Sequence, residues 1–134
     1  MPAMPNVTIS CPVFPSENPD KVRLAIEKIF PDAEISENED GFTASTDSLN
    51  HFSKQIRKQK ILDTTRSVMI RGKRGKSDKT IFNLNKQVAF MGKISFCEEK
   101  MILGTIRVTI VDEEMDALID TVAPETVDGE EVLI

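Results

Sequence analysis

The chain has 134 residues, 40% of them apolar and 29% charged, which suits one soluble globular domain and excludes an intrinsically disordered chain. No apolar run approaches the ~18 residues of a membrane span, and the opening MPAMPNVTIS has neither the basic start nor the apolar run of a secretory signal, so the expected location is the cytoplasm. Cys11 and Cys97 lie far apart without CxxC spacing, which gives no zinc motif and no disulfide framework and leaves two small apolar residues.

The formal net charge of −5 conceals an uneven distribution: residues 1–50 carry −6, residues 51–100 carry +9 and residues 101–134 carry −8. Between Lys54 and Lys93, twelve Lys or Arg residues stand against two acids, Asp63 and Asp78. Such a pattern is either the electrostatic footprint of a polyanion or a basic middle on which acidic ends fold back, and the sequence allows both.

In chain order, Val7, Ile9, Cys11 and Val13 alternate with Thr8, Ser10 and Pro12, the period of a half-buried strand. Pro12 donates no hydrogen bond and belongs near an edge or strand end. Asn18 caps a first helix, with Pro19 in its first turn and Asp20 at the positive end of its dipole. Val22, Ala25, Ile26, Ile29 and Phe30 form its core stripe, and Pro31 ends it. Two short strands, Ala33 to Ser36 and Phe42 to Ser45, flank a turn at Asp40-Gly41. Thr46 or Asp47 then caps a second helix with Leu49, Phe52 and Ile56 inward and Lys54, Arg57 and Lys58 outward.

Beyond Lys60 the apolar residues Ile61, Leu62, Val68 and Met69 cluster on what had been the basic side. One straight helix cannot bury both stripes in one core, so a break or kink is expected near Lys60, with Gly72 closing the second segment through a positive-φ cap. Gly72 to Ser77 ends in the GKS of a phosphate-binding loop, but the pattern needs a glycine where Ile70 stands, and the loop leaves a helix to enter a strand. It reads as a basic connector. Thr80 to Leu84 begins a strand whose run continues through Asn85-Lys86-Gln87 to Met91, with Gly92 as punctuation. Ile94 to Cys97 and Gly104 to Val111 are further strands joined by a turn at Glu98-Glu99-Lys100. A short helix is expected within Asp112 to Ile119, and an extended tail from Ala123 with a turn at Asp128-Gly129. The whole chain reads as a single domain, 1–134, with a loosely ordered N-terminus (1–5) and C-terminal tail (about 123–134).

Three stretches carry a family resemblance: Gln59-Lys60-Ile61-Leu62-Asp63-Thr64-Thr65-Arg66, the run Phe82-Asn83-Leu84-Asn85-Lys86-Gln87-Val88-Ala89-Phe90-Met91-Gly92, and Leu103-Gly104-Thr105-Ile106-Arg107-Val108. With Phe30-Pro31-Asp32 and the segment from Ala123-Pro124 to Asp128-Gly129, they resemble an uncharacterised archaeal protein family labelled "RNA-binding". The resemblance implies a fold similar to that of the large-subunit ribosomal protein that binds 5S ribosomal RNA. Both it and the element pattern give an α+β fold, with helices packed on one face of a largely antiparallel sheet.

The expected function is a non-enzymatic, sequence-independent RNA- or ribosome-associated binder using the basic helix face and loop, with Lys54, Arg57, Lys58, Arg71, Lys73, Arg74 and Lys76 as the RNA-binding candidates. Aromatic platforms are not foreseen: there is no Trp or Tyr, and Phe30, Phe52, Phe82, Phe90 and Phe96 fall at interior or strand-face positions. Gln59, Asp63, Arg66, Asn85, Lys86 and Gln87 are candidates for a structural polar cluster. The lone His51 has no second histidine or reactive cysteine to partner it, so no catalytic residue, metal or small-molecule cofactor is expected. The alternative is a homo-oligomeric interaction module without nucleic-acid binding, in which a second copy covers a sheet edge or face.

Overall fold

The computed structural model describes residues 6–73, 78–97, 105–127 and 130–131. Among them, in chain order, are β1 (Asn6–Pro12), α1 (Pro19–Ile29), β2 (Glu34–Glu37), β3 (Gly41–Thr46), α2 (Asn50–Lys58), α3 (Leu62–Arg71), β4 (Lys79–Leu84), α4 (Lys86–Ala89), β5 (Phe96–Cys97), β6 (Ile106–Val111), α5 (Met115–Val122), β7 (Thr126–Val127) and β8 (Glu130–Glu131). Six strands form one antiparallel sheet in the order β2-β3-β1-β6-β4-β5, and β7 pairs with β8 in a separate ribbon. The fold is α+β.

Strand alternation decides which side of the sheet the helices cover. Val7, Ile9 and Cys11 of β1, Phe42 and Ala44 of β3, Thr80, Phe82 and Leu84 of β4, and Ile106, Val108 and Ile110 of β6 are buried against the helices. Their neighbours Thr8, Ser10, Thr43, Ser45 and Arg107 point away from them to an uncovered face, where Thr8 pairs with both Ser45 and Thr109. The helices supply Val22, Ala25, Ile26 and Ile29 from α1, Phe52 and Ile56 from α2, Leu62 and Met69 from α3, and Met115, Ile119 and Val122 from α5. Four phenylalanines run through this core as a chain: Phe30 on Phe52, Phe52 on Phe82 and Phe82 on Phe96, with ring centroids 5.8, 5.8 and 5.7 Å apart.

The first helix forms as its sequence predicts: the Asn18 side chain accepts from the Asp20 N–H at 2.9 Å, and Pro19 stands in the first turn. The second begins later than Thr46 or Asp47 would place it, at Asn50, and its N-cap Leu49 makes no side-chain cap bond. Thr46 and Ser48 instead shape the approach, accepting from the Ser48 and Asn50 N–H groups. The helix breaks where the two apolar stripes conflict. α2 ends at Lys58, Lys60 takes a left-handed φ of 61°, and α3 starts at Leu62 with its stripe turned back into the core.

Gly72 departs from the positive-φ cap expected of it, with φ −77°. It is glycine for another reason: a Cβ there would stand 2.3 Å from the Ile81 carbonyl oxygen and 2.7 Å from Thr80 Oγ1. The close approach lets Thr80 Oγ1 donate to the Met69 carbonyl oxygen at 2.6 Å, tying α3 to β4. The run after Leu84 also departs from a continuing strand, because Asn85 turns the chain into α4 by accepting from the Gln87 and Val88 N–H groups. Gly92, at φ 80°, then turns it back. Near the C-terminus, Ala123 is fully buried, and the expected extended tail includes the β7–β8 pair. The turns expected at 98–100 and 128–129 and the GKS of residues 75–77 lie outside the described residues.

Candidate nucleic-acid interface

The basic middle of the chain divides into cations consumed by the fold and cations left on the surface. Arg57 belongs to the first group. Its guanidinium donates to Ser53 Oγ, to the Thr121 carbonyl oxygen at 3.3 Å and to the Val122 carbonyl oxygen at 3.5 Å, while Ser53 Oγ donates to Val122 O at 2.9 Å. The carbonyls at the end of α5 are left without helical partners and carry the negative end of its dipole, so Arg57 caps that helix. Arg66 pairs with Asp120 at 2.7 Å and Glu125 at 3.6 Å and donates to Ala123 O, and Lys73 pairs with Asp116 at 2.6 Å.

The acidic C-terminal region therefore does fold back on part of the basic middle. Asp116, Asp120 and Glu125 remain 63–84% exposed in these pairs, and exposed ion pairs contribute ~0–1 kcal/mol each. What holds α5 down is Met115, Ile119, Val122 and Ala123 in the core.

Of the seven RNA-binding candidates, Lys54 and Lys58 are exposed one turn apart on the outer side of α2, and neither pairs with a described carboxylate. Arg71 is exposed at the end of α3, beside a recess lined by Val68, Ile81, Asn83 and Cys97. Arg57 and Lys73 are engaged with α5 as above. Arg74 and Lys76 lie outside the described residues.

The six polar candidates have separate partners, and Gln87 makes no side-chain bond to a described residue. Gln59 pairs its amide with the Ile94 backbone, accepting from N–H at 2.8 Å and donating to the carbonyl at 2.9 Å. Asp63 accepts from Thr126 Oγ1, and Arg66 reaches α5. Asn85 caps α4, and Gln87 is exposed. Lys86 is buried: its ammonium donates to Pro12 O at 2.8 Å and pairs with Glu17 at 3.0 Å, with side-chain exposures of 6% and 11%. Glu17 also accepts from the Phe14 N–H at 3.0 Å, so the pair locks the β1–α1 connection onto α4.

These joints assemble a surface that sequence reasoning missed. Gln55 donates to Gly92 O at 2.8 Å and His51 Nε2 lies 3.1 Å from Lys28 O, so α1, α2 and the turn at residues 90–93 meet. Lys21 and Lys28, two turns apart on one side of α1, hold their ammonium groups 5.7 and 5.8 Å from the centre of the half-buried Phe90 ring. At exposed sites such contacts are worth ~0.5–1 kcal/mol, weak enough to yield to a phosphate. Met91 is 61% exposed beside them, and Lys93 is exposed. Lys21 and Lys28 thus flank an aromatic ring, Lys54, Lys58 and Lys93 are exposed on the neighbouring α2 and the turn after α4, and none of the five forms an ion pair with a described residue. The i, i+7 spacing of Lys21 and Lys28 was visible in the sequence, but only the fold brings Phe90 to them.

Among the described residues no group of three or more His, Cys, Asp or Glu side chains is placed to hold a metal. Cys11 is buried, and burial pushes its thiol up to about 11, with nearby Lys86 lowering and Glu17 raising it by smaller amounts. Burial also raises the partly exposed Cys97. No helix among the described residues is long and apolar enough to cross a membrane.

Comparison with known proteins agrees with the architecture. A family model described as RNA binding matches residues 6–111. The UPF0200/UPF0201 protein of Archaeoglobus fulgidus is 43% identical over 129 residues, a match covering 94% of this chain but only 39% of that longer protein. The UPF0201 protein of Metallosphaera sedula is 34% identical over 135 residues, covering 94% of this chain and 92% of that one. The crystal structure of the UPF0201 protein from Methanococcus jannaschii, 32% identical, superposes with a TM-score of 0.85 over 96% of this chain and 99% of that one. The chain belongs to this archaeal family, UPF0201, with a family model described as RNA binding.

Proposed function

We propose that the protein binds RNA through the lysine surface formed by Lys21 and Lys28 of α1, Lys54 and Lys58 of α2, and Lys93, around Phe90 and Met91. The observation that carries this reading is the division of the cations: Arg57, Arg66 and Lys73 are spent on α5, whereas these five lysines are left to solvent in a chain of net charge −5. Lysines recognise phosphate as point charges without reading bases, so the binding is salt-sensitive and independent of sequence. The family description supports the same class of partner. On this reading the protein works in the cytoplasm, is not an enzyme, and its fold relates to that of the 5S-RNA-binding ribosomal protein.

Fluorescence anisotropy with a labelled structured RNA at low salt tests it. The triple reversal Lys54→Glu, Lys58→Glu and Lys93→Glu is expected to weaken binding by at least tenfold, whereas Lys73→Gln, which frees only Asp116, leaves it within about twofold. Equal effects of the two variants would contradict the assignment.

A second reading, association of two copies, draws on the uncovered sheet face, where the half-exposed Ile81 and Thr109 stand beside Thr8 and Ser10. Sedimentation that gives a monomer at micromolar concentration removes it.

A further inference from the structure

We propose that the cleft between α1 and α4 receives a single unpaired RNA base, with the Phe90 ring as its stacking wall. This rests on the RNA-binding reading above and adds to it a site for one nucleotide. The cleft has a volume of about 370 Å³. That falls within the roughly 300–1,000 Å³ typical of small-ligand pockets. Its sides are apolar, from Val22, Ala25 and Phe90, as the flat faces of a base require.

At the rim stands Gln87, exposed, whose side-chain amide makes no hydrogen bond with a described residue and so offers a donor and an acceptor to a base edge. The charges also fit. Glu17 in the lining is offset by its ion pair with Lys86, which leaves Lys21 as the net charge at the mouth, where the phosphate of an inserted nucleotide would lie. Lys21 now rests on the Phe90 ring; its flexible stem lets the ammonium move to a phosphate as a base takes the ring. A paired base keeps its hydrogen-bonding edge inside the duplex, so only an unpaired one can present that edge to Gln87.

The test is nuclear magnetic resonance of the ¹⁵N-labelled full chain titrated with adenosine and uridine monophosphates, and separately with inorganic phosphate, joined to RNA binding by Phe90→Leu and by the surface variant Gln87→Ala. The nucleotides are expected to shift the amides of Val22, Ala25, Gln87 and Phe90, and phosphate is not. Phe90→Leu should weaken an unstructured single strand by about tenfold and Gln87→Ala by less, and Gln87→Ala should leave a blunt duplex unaffected. No nucleotide-induced shift at these amides, the same shifts from phosphate alone, or equal losses for single strand and duplex would each overturn the cleft. If those results came with intact, salt-sensitive RNA binding, the lysine surface would stand and the base site alone would fall. Nucleotide shifts without any RNA binding would overturn both the lysine surface and the RNA base as the cleft's occupant.

Discussion

Burying a lysine costs several kcal/mol unless its ammonium is both paired and hydrogen-bonded, and Lys86 meets both conditions through Glu17 and Pro12 O. Removing one partner strands the other charge. Glu17→Gln is expected to lower stability by about 3–5 kcal/mol in urea unfolding, and Glu17→Gln combined with Lys86→Met to recover much of that loss. Cys11, buried beside the pair, gives a pH signature. Its thiol is raised from 9.0 to about 11 in the fold. Between those values the unfolded chain loses the proton and the folded chain keeps it, so stability falls as pH rises, by about 3 kcal/mol once the folded thiol also ionises. Chemical unfolding of Cys11→Ala between pH 8 and roughly pH 11 should lack this slope; an unchanged slope would assign it to other groups.

At the scale of elements, the break between α2 and α3 is the joint that sets the basic face. Lys60 sits there at φ 61°, a conformation that costs a residue with a Cβ about 1 kcal/mol and glycine almost nothing. Lys60→Gly should therefore stabilise the chain by up to about 1 kcal/mol, read as a raised midpoint of thermal unfolding; a clear drop would mean that the Lys60 side chain stabilises the turn. This break was legible in the sequence because two apolar stripes on opposite sides of one helix cannot share a core. α1 was legible through its cap and its stripe. The helix α4 was not, since four residues are too few to show a period, and the alternation of Thr80 to Leu84 ran on into it without a visible stop. Nor was the reason for Gly72, because its constraint comes from a strand crossing close by and leaves no local mark.

For the whole molecule, the sequence placed the positive charge in the middle third but not its division. Arg57 looked solvent-facing on a helical projection and does leave the core side of α2, only to meet the end of α5. Asn85 to Gln87 drew attention as a family signature; their bonds show that Asn85 caps α4 and Lys86 joins it to the β1–α1 connection, while Gln87 is left at the surface. The elements that carry the proposed lysine surface are thus joined by uncharged amides, Gln55 and Gln59, and by a buried ion pair. The salt dependence of RNA affinity tests that surface most directly, because each phosphate contact contributes about 0.7–0.9 to the slope of log affinity against log salt. With a structured RNA from roughly 50 to 200 mM salt, the wild-type chain should show a steep slope, and Lys54→Glu with Lys58→Glu a slope shallower by about 1.4–1.8. An unchanged slope in that variant, or no binding by the wild type at the lowest salt, would contradict the lysine surface.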